Sequence, residues 1–189
     1  RIYQARNRAN HFFDSLVDIG RSKYTLNHDV NKYPAACLYG AWSRLCGKVL
    51  ISSNLEHSEL ESIANEIISY KHQDGTFFPD VLLHQKPSKS YEYLILHTYN
   101  YASGALHLFN NGVDLSSEYM DWFLEYENLR RWLQGRCFSR PWEESNNIVN
   151  VASYLAWKSD MGDVDAIRNL EELYQWHVNY QDPITAGFG

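Results

Sequence analysis

The chain is predicted to be all-α, built of repeated helical hairpins that form a partial α/α toroid or solenoid. Three observations carry this. Two kinds of helical segment alternate along the chain, one amphipathic and one apolar nearly all round. No stretch shows the strict alternation of a half-buried strand. A turn motif recurs at intervals of about fifty residues. The 189 residues suffice for one domain, 1–189, with a substantial core, and 44% hydrophobic content marks a folded chain.

Phe12, Phe13, Leu16 and Val17 place one apolar stripe on a first helix at 5–19, ended by Gly20. The polar run 20–33 reads as a loop. Pro34 then opens a helix to about Leu45 with Ala35, Ala36, Leu38, Ala41 and Trp42, stopped by Gly47. Ser58 and Glu61 form a capping box ahead of Leu60, Ile63, Ala64, Ile67 and Ile68 on one face, and Gln73-Asp74-Gly75 closes that segment. Residues 76–90 read as a loop, followed by a helix at 91–110 with the stripe Leu94, Ile95, Thr98, Ala102, Ala105 and Phe109. Gly104 inside it implies close packing of a neighbour.

Asp114 or Ser116 caps a helix at 116–133 carrying Trp122, Tyr126, Leu129 and Leu133 on one face. Gly135 closes it in the left-handed conformation, and Pro141 sits near the start of the next helix, 144–158. Asp163 caps the last, at 164–179, with Ile167, Leu170, Leu173, Tyr174 and His177. That makes about seven helices. Those at 58–71, 116–133 and 164–179 fit an outer layer, and those at 34–46, 91–110 and 144–158 an inner one.

A net charge of −6 argues against nucleic acid as a partner, and no apolar run is long enough for a membrane span. Cys37, Cys46 and Cys137 are odd in number and lack CxxC spacing, so they read as free thiols of a cytoplasmic protein. The chain opens on Arg1 rather than Met, as a processed or trimmed start would.

Gln73-Asp74-Gly75-Thr76-Phe77 and Gln181-Asp182-Pro183-Ile184-Thr185 are echoes 108 residues apart, two steps of about 54, with Gln134-Gly135-Arg136 as a degraded copy between them. These turns, with the ending Gly187-Phe188-Gly189, resemble the helix-to-loop repeats of the terpenoid cyclase and protein prenyltransferase α/α-toroid superfamily, above all its uncharacterised bacterial members. The resemblance implies a central cavity within a helical ring. Three and a half hairpins ending at Gly189 would make half of such a ring. It does not imply the chemistry of those enzymes, because the chain has no DxDD cluster and no matching D-x-C…H zinc ligands.

Helix mouths supply the chemical candidates. Asp80, His84 and Lys89 lead to Tyr93, and Arg140, Trp142, Glu143, Glu144 and Asn147 crowd another mouth; His28 and Asp29 lead to a third. Glu143 and Glu144 are about 100° apart on a helix, so one of the two would face a cavity. The carboxylates also suit a helix N-terminus for purely structural reasons. Tyr93, His97 and Tyr101 stand at i, i+4, i+8 as a polar stripe, or as satisfied core residues. His72, Asp74, Asp80 and His84 are of metal-binding types without ligand spacing, so neither a metal nor another cofactor is expected.

The leading expectation is glycan hydrolysis or lyase chemistry. Glu143 or Glu144 would act as acid, Asp80 or His97 as base, with Trp142, Arg140, Tyr93, Tyr101 and Asn147 holding a carbohydrate. A non-catalytic binding or scaffold module, for which a homo-oligomer is one expected state, and a cyclase-like protein for an apolar polyprenyl small molecule are the alternatives.

Overall fold

The structure, a computed structural model, describes residues 2–15, 17–18, 23–24, 35–51, 57–77, 89–109, 113–136 and 141–180. Among these the class is all-α, as predicted. The helices are α1 (Ile2–Ser15), α2 (Ala35–Ile51), α3 (His57–Ile68), α4 (Lys89–Phe109), α5 (Glu118–Asp121), α6 (Tyr126–Gln134), α7 (Pro141–Asp160) and α8 (Val164–Asn179). A minimal antiparallel pair, β1 (Val17–Asp18) with β2 (Lys23–Tyr24), joins Val17 to Tyr24. The first helix therefore ends before Val17, which the apolar stripe had placed inside it.

The chain forms two compact units: Arg1–Lys86 with Tyr101–Leu115, and Pro87–Asn100 with Ser116–Gly189. In the first unit α2 and α3 pack as a hairpin around Leu38, Ala41, Leu45, Ile63 and Ile67, all fully buried. α2 runs through Gly47 to Ile51, because a single glycine costs only about 1 kcal/mol within a helix so well buried. Arg44 pairs with Glu59 across the hairpin, and Lys48 Nζ lies 3.5 Å from the same carboxylate. Leu60, Ile63, Ala64 and Ile67 are buried as the stripe predicts. The capping box is not formed: His57 is already helical, and its Nε2 lies 3.2 Å from Glu61 Oε1.

α3 stops at Ile68, five residues before the turn signal. That signal instead closes a small loop in which Lys71 bridges Phe77. The Asp74 side chain accepts from the Thr76 amide (3.0 Å) and hydroxyl (2.7 Å), and Gly75 takes φ 78°, where a Cβ would be strained.

In the second unit the predicted helix at 116–133 is broken. Ser117, not Asp114 or Ser116, caps α5 by accepting from the Met120 amide at 3.3 Å. A 3-10 turn, Trp122–Leu124, and an extended Glu125 then precede α6. Phe123 fills the space this break opens, edge-on to Trp132 at 5.2 Å between centroids. Gly135 stays right-handed, with φ −80° and ψ −5°, so α6 ends without the left-handed cap.

α7 starts at Pro141, where a missing N–H costs nothing, and extends to Asp160. Gly162, with φ 88°, turns the chain back, and the Asp163 side chain caps α8 by accepting from the amides of Asp165 and Ala166 at 3.0 Å each. The buried face of α8 is Ala166, Asn169 and Leu173, while Ile167 and Tyr174 are exposed, a rotation from the predicted stripe. Gly104 on α4 also departs from expectation: it is exposed, with no atom within 4 Å of where a Cβ would stand. Among the described residues no helix is long and apolar enough to cross a membrane.

Candidate functional site

The first half of α4 and the whole of α7 belong to the second unit, where long side chains join them. Tyr93 lies 5.6 Å from Trp142, and Tyr99 lies 5.7 Å, edge-on, from Tyr154. From the first pair to the second the chain advances six residues on α4 and twelve on α7, so the two helices share a direction without one constant register. The partner offset is 49 residues at Tyr93–Trp142 and 55 at Tyr99–Tyr154.

A charged trio closes one side. Arg136 Nη1 donates to Glu92 Oε2 at 2.8 Å and to Glu144 Oε2 at 3.2 Å. The Trp132 indole N–H donates to the other Glu92 oxygen at 2.6 Å, and the Arg136 guanidinium lies 4.5 Å above the Trp132 ring. Glu144 is buried, its side chain only 6% exposed, and Arg136 is 11% exposed. A buried charge persists only when paired, so this trio first of all fixes α4, α6 and α7 together.

Next to it stands an aromatic stack. Tyr93 stacks on His97 at 5.1 Å with 24° between planes, and Trp142 tilts against the same Tyr93. Trp142 is 67% exposed, so an indole held by its neighbours faces solvent. Partial burial pushes His97 down to about 4 from its ordinary value, so at neutral pH it is an uncharged ring with one donor and one acceptor nitrogen.

Deeper along α7, Asn147 and Asn150 are buried, yet Asn147 Oδ1 and Asn150 Nδ2 have no hydrogen-bond partner among the described residues. Asn147 precedes Tyr154 by seven residues, two helical turns, and so lies on the face that Tyr154 turns to α4. Tyr154 donates to Asp121 Oδ1, and Lys158 Nζ lies 3.2 Å from the same oxygen; burial and then Asp121 push the phenol up.

Of the predicted set, the structure brings together Tyr93, His97 and Trp142 in one stack; Glu144 is held by Arg136, and Asn147 is buried on α7. Tyr101 does not join them. It lies 4.3 Å from Trp42 in the first unit, which ends the expected stripe one turn after His97. Asp80, Arg140, His28, Asp29 and His84, and the side chain of Glu143, lie outside the described residues. So do the side chains of Cys37 and Cys137; Cys46 is a free, half-buried thiol pushed up by burial. Sequence reasoning missed Glu92, Trp132, Arg136 and Asn150. Glu92 meets Trp132 and Arg136 across 40 and 44 residues, and no local spacing signals such a meeting. Asn150 was legible in principle, as a polar residue between Val149 and Val151 in the apolar middle of its helix. Among the described residues no three His, Cys, Asp or Glu side chains converge as metal ligands would. Comparison of the chain with known protein families, with curated proteins and with solved structures finds no match.

Proposed function

We propose that this chain is a helical-hairpin repeat protein that binds carbohydrate on an aromatic platform at the start of α7. The observation that carries the reading is Trp142, a large ring left 67% exposed while Tyr93 holds it in place. A sugar ring offers an apolar C–H face to such an indole and hydroxyls to its surroundings. Neutral His97 stacks on Tyr93 and so steadies the ring that Trp142 leans on. The shared direction of α4 and α7, read from two ring pairs, supports the hairpin-repeat reading. Glu144, Asn147 and Asn150, buried on α7, suit a polar ligand better than a polyprenyl chain. Free Cys46 fits a reducing, cytoplasmic setting.

A glycan hydrolase or lyase is the second reading. One observation favours it: Glu92 and Glu144 each bond the same Arg136 nitrogen, so their oxygens lie within about 6 Å, near the spacing of paired carboxylates in glycoside hydrolysis. Arg136 stands between them and engages both, so we place binding ahead of catalysis.

The test is calorimetric titration of the chain with a panel of oligosaccharides, repeated with Trp142→Ala. At least one glycan class is expected to bind, with affinity falling tenfold or more in the variant. Absence of glycan binding, or affinity unchanged by Trp142→Ala, contradicts the proposal. Release of reducing ends by the parent chain, abolished by Glu144→Gln while glycan binding persists, would promote the second reading.

A further inference from the structure

The first unit carries a second feature, remote in sequence from Trp142. A groove of about 490 Å³ runs along α3, within the size range of small-molecule sites. His57, Glu61 and Asn65, at successive helical turns, form its polar edge. Ala64, Ile68, Phe109 and Val113 supply an apolar floor and wall.

Its electrostatics are one-sided. Among the described residues that line the groove, Glu61 is the one carboxylate and none is Lys or Arg. His57 Nε2 holds Glu61 Oε1 at 3.2 Å, and the His57 ring packs against Phe109 at 5.6 Å. The carboxylate is therefore steadied beside an aromatic ring, and its second oxygen has no partner among the described residues. The Glu61 side chain is 57% exposed, so a ligand reaches it without any opening of the fold. A carboxylate beside an aromatic wall over an apolar floor selects a positive charge carried on an apolar body.

We propose that this groove binds a small organic cation of the aryl- or alkylammonium class. The cationic nitrogen sits on Glu61 and the apolar body lies along Ile68, Val113 and Phe109. Because Glu61 is open to solvent, screening keeps the charge contribution modest and salt-sensitive.

The experiment is an NMR titration of the whole chain at low salt with benzylammonium, with neutral benzyl alcohol and anionic benzoate as the matched probes. Benzylammonium is expected to shift the signals of Glu61, Asn65 and Phe109 and to saturate, with benzyl alcohol at least fivefold weaker. Glu61→Gln, an exposed substitution that leaves the core untouched, should bring benzylammonium down to the level of the alcohol. The proposal is overturned if benzylammonium leaves these signals unmoved. It is equally overturned if benzoate binds as well, or if Glu61→Gln leaves the preference for the cation intact. Trp142→Ala should leave this titration unchanged, so the outcome is independent of the carbohydrate reading.

Discussion

Glu144 and Arg136 define the chemistry of the second unit at the scale of single residues. A carboxylate at the start of a helix suits the partial positive charge there, and the sequence alone supports no more than that. The structure adds a guanidinium that holds Glu144 and Glu92 at once. Removing it strands a buried carboxylate, so Arg136→Gln is expected to cost about 3 kcal/mol in urea denaturation. His97 makes a pH prediction. Its value falls from 6.5 unfolded to about 4 folded, so the unfolded chain binds the proton more readily. The stability it contributes is complete above pH 6.5 and is lost as pH falls through 4. His97→Gln should flatten the fall in stability between pH 6.5 and 4, measured by denaturation midpoints across that range.

The legibility of single residues followed a physical divide. Trp142, Tyr93, His97, Glu144 and Asn147 stood out because polar or bulky aromatic groups broke an apolar pattern at helical spacing. Gly104 and Gly135 misled, because a glycine permits a close approach or a left-handed turn without requiring either. Gly75, in a turn motif where Asp74 binds Thr76, did adopt positive φ.

At the scale of elements, the long apolar helices were legible and the interruption at 122–125 was not. Trp122, Leu129 and Leu133 keep helical spacing across it, so periodicity alone reads through. What holds the break is distant. Asn169 of α8 donates to the carbonyls of Phe123 (2.9 Å) and Leu124 (2.7 Å), groups that the broken helix leaves without helical partners. This also explains the rotation of α8: a buried asparagine takes the face that apolar counting had given to Ile167 and Tyr174. Asn169→Ala leaves two carbonyls short of a donor and should cost about 2–3 kcal/mol by thermal or urea unfolding, against less than 0.5 kcal/mol for the exposed change Ile167→Ala.

At the scale of the molecule, each unit is organised around hairpins of antiparallel helices, α2 with α3 in the first and α7 with α8 in the second. The all-α class was legible because it rests on local periodicity. The pairing of α4 with α7 was not, because Tyr93–Trp142 and Tyr99–Tyr154 meet across about fifty residues. The Trp142 platform depends on that pairing.

The pairing is tested most directly by aromatic nuclear Overhauser effects in a sample with selectively labelled Tyr and Trp. Cross-peaks are expected between Tyr93 and Trp142 and between Tyr99 and Tyr154 in the same sample. Trp142 contacting a ring other than Tyr93, or either pair missing from a folded chain, would contradict the pairing.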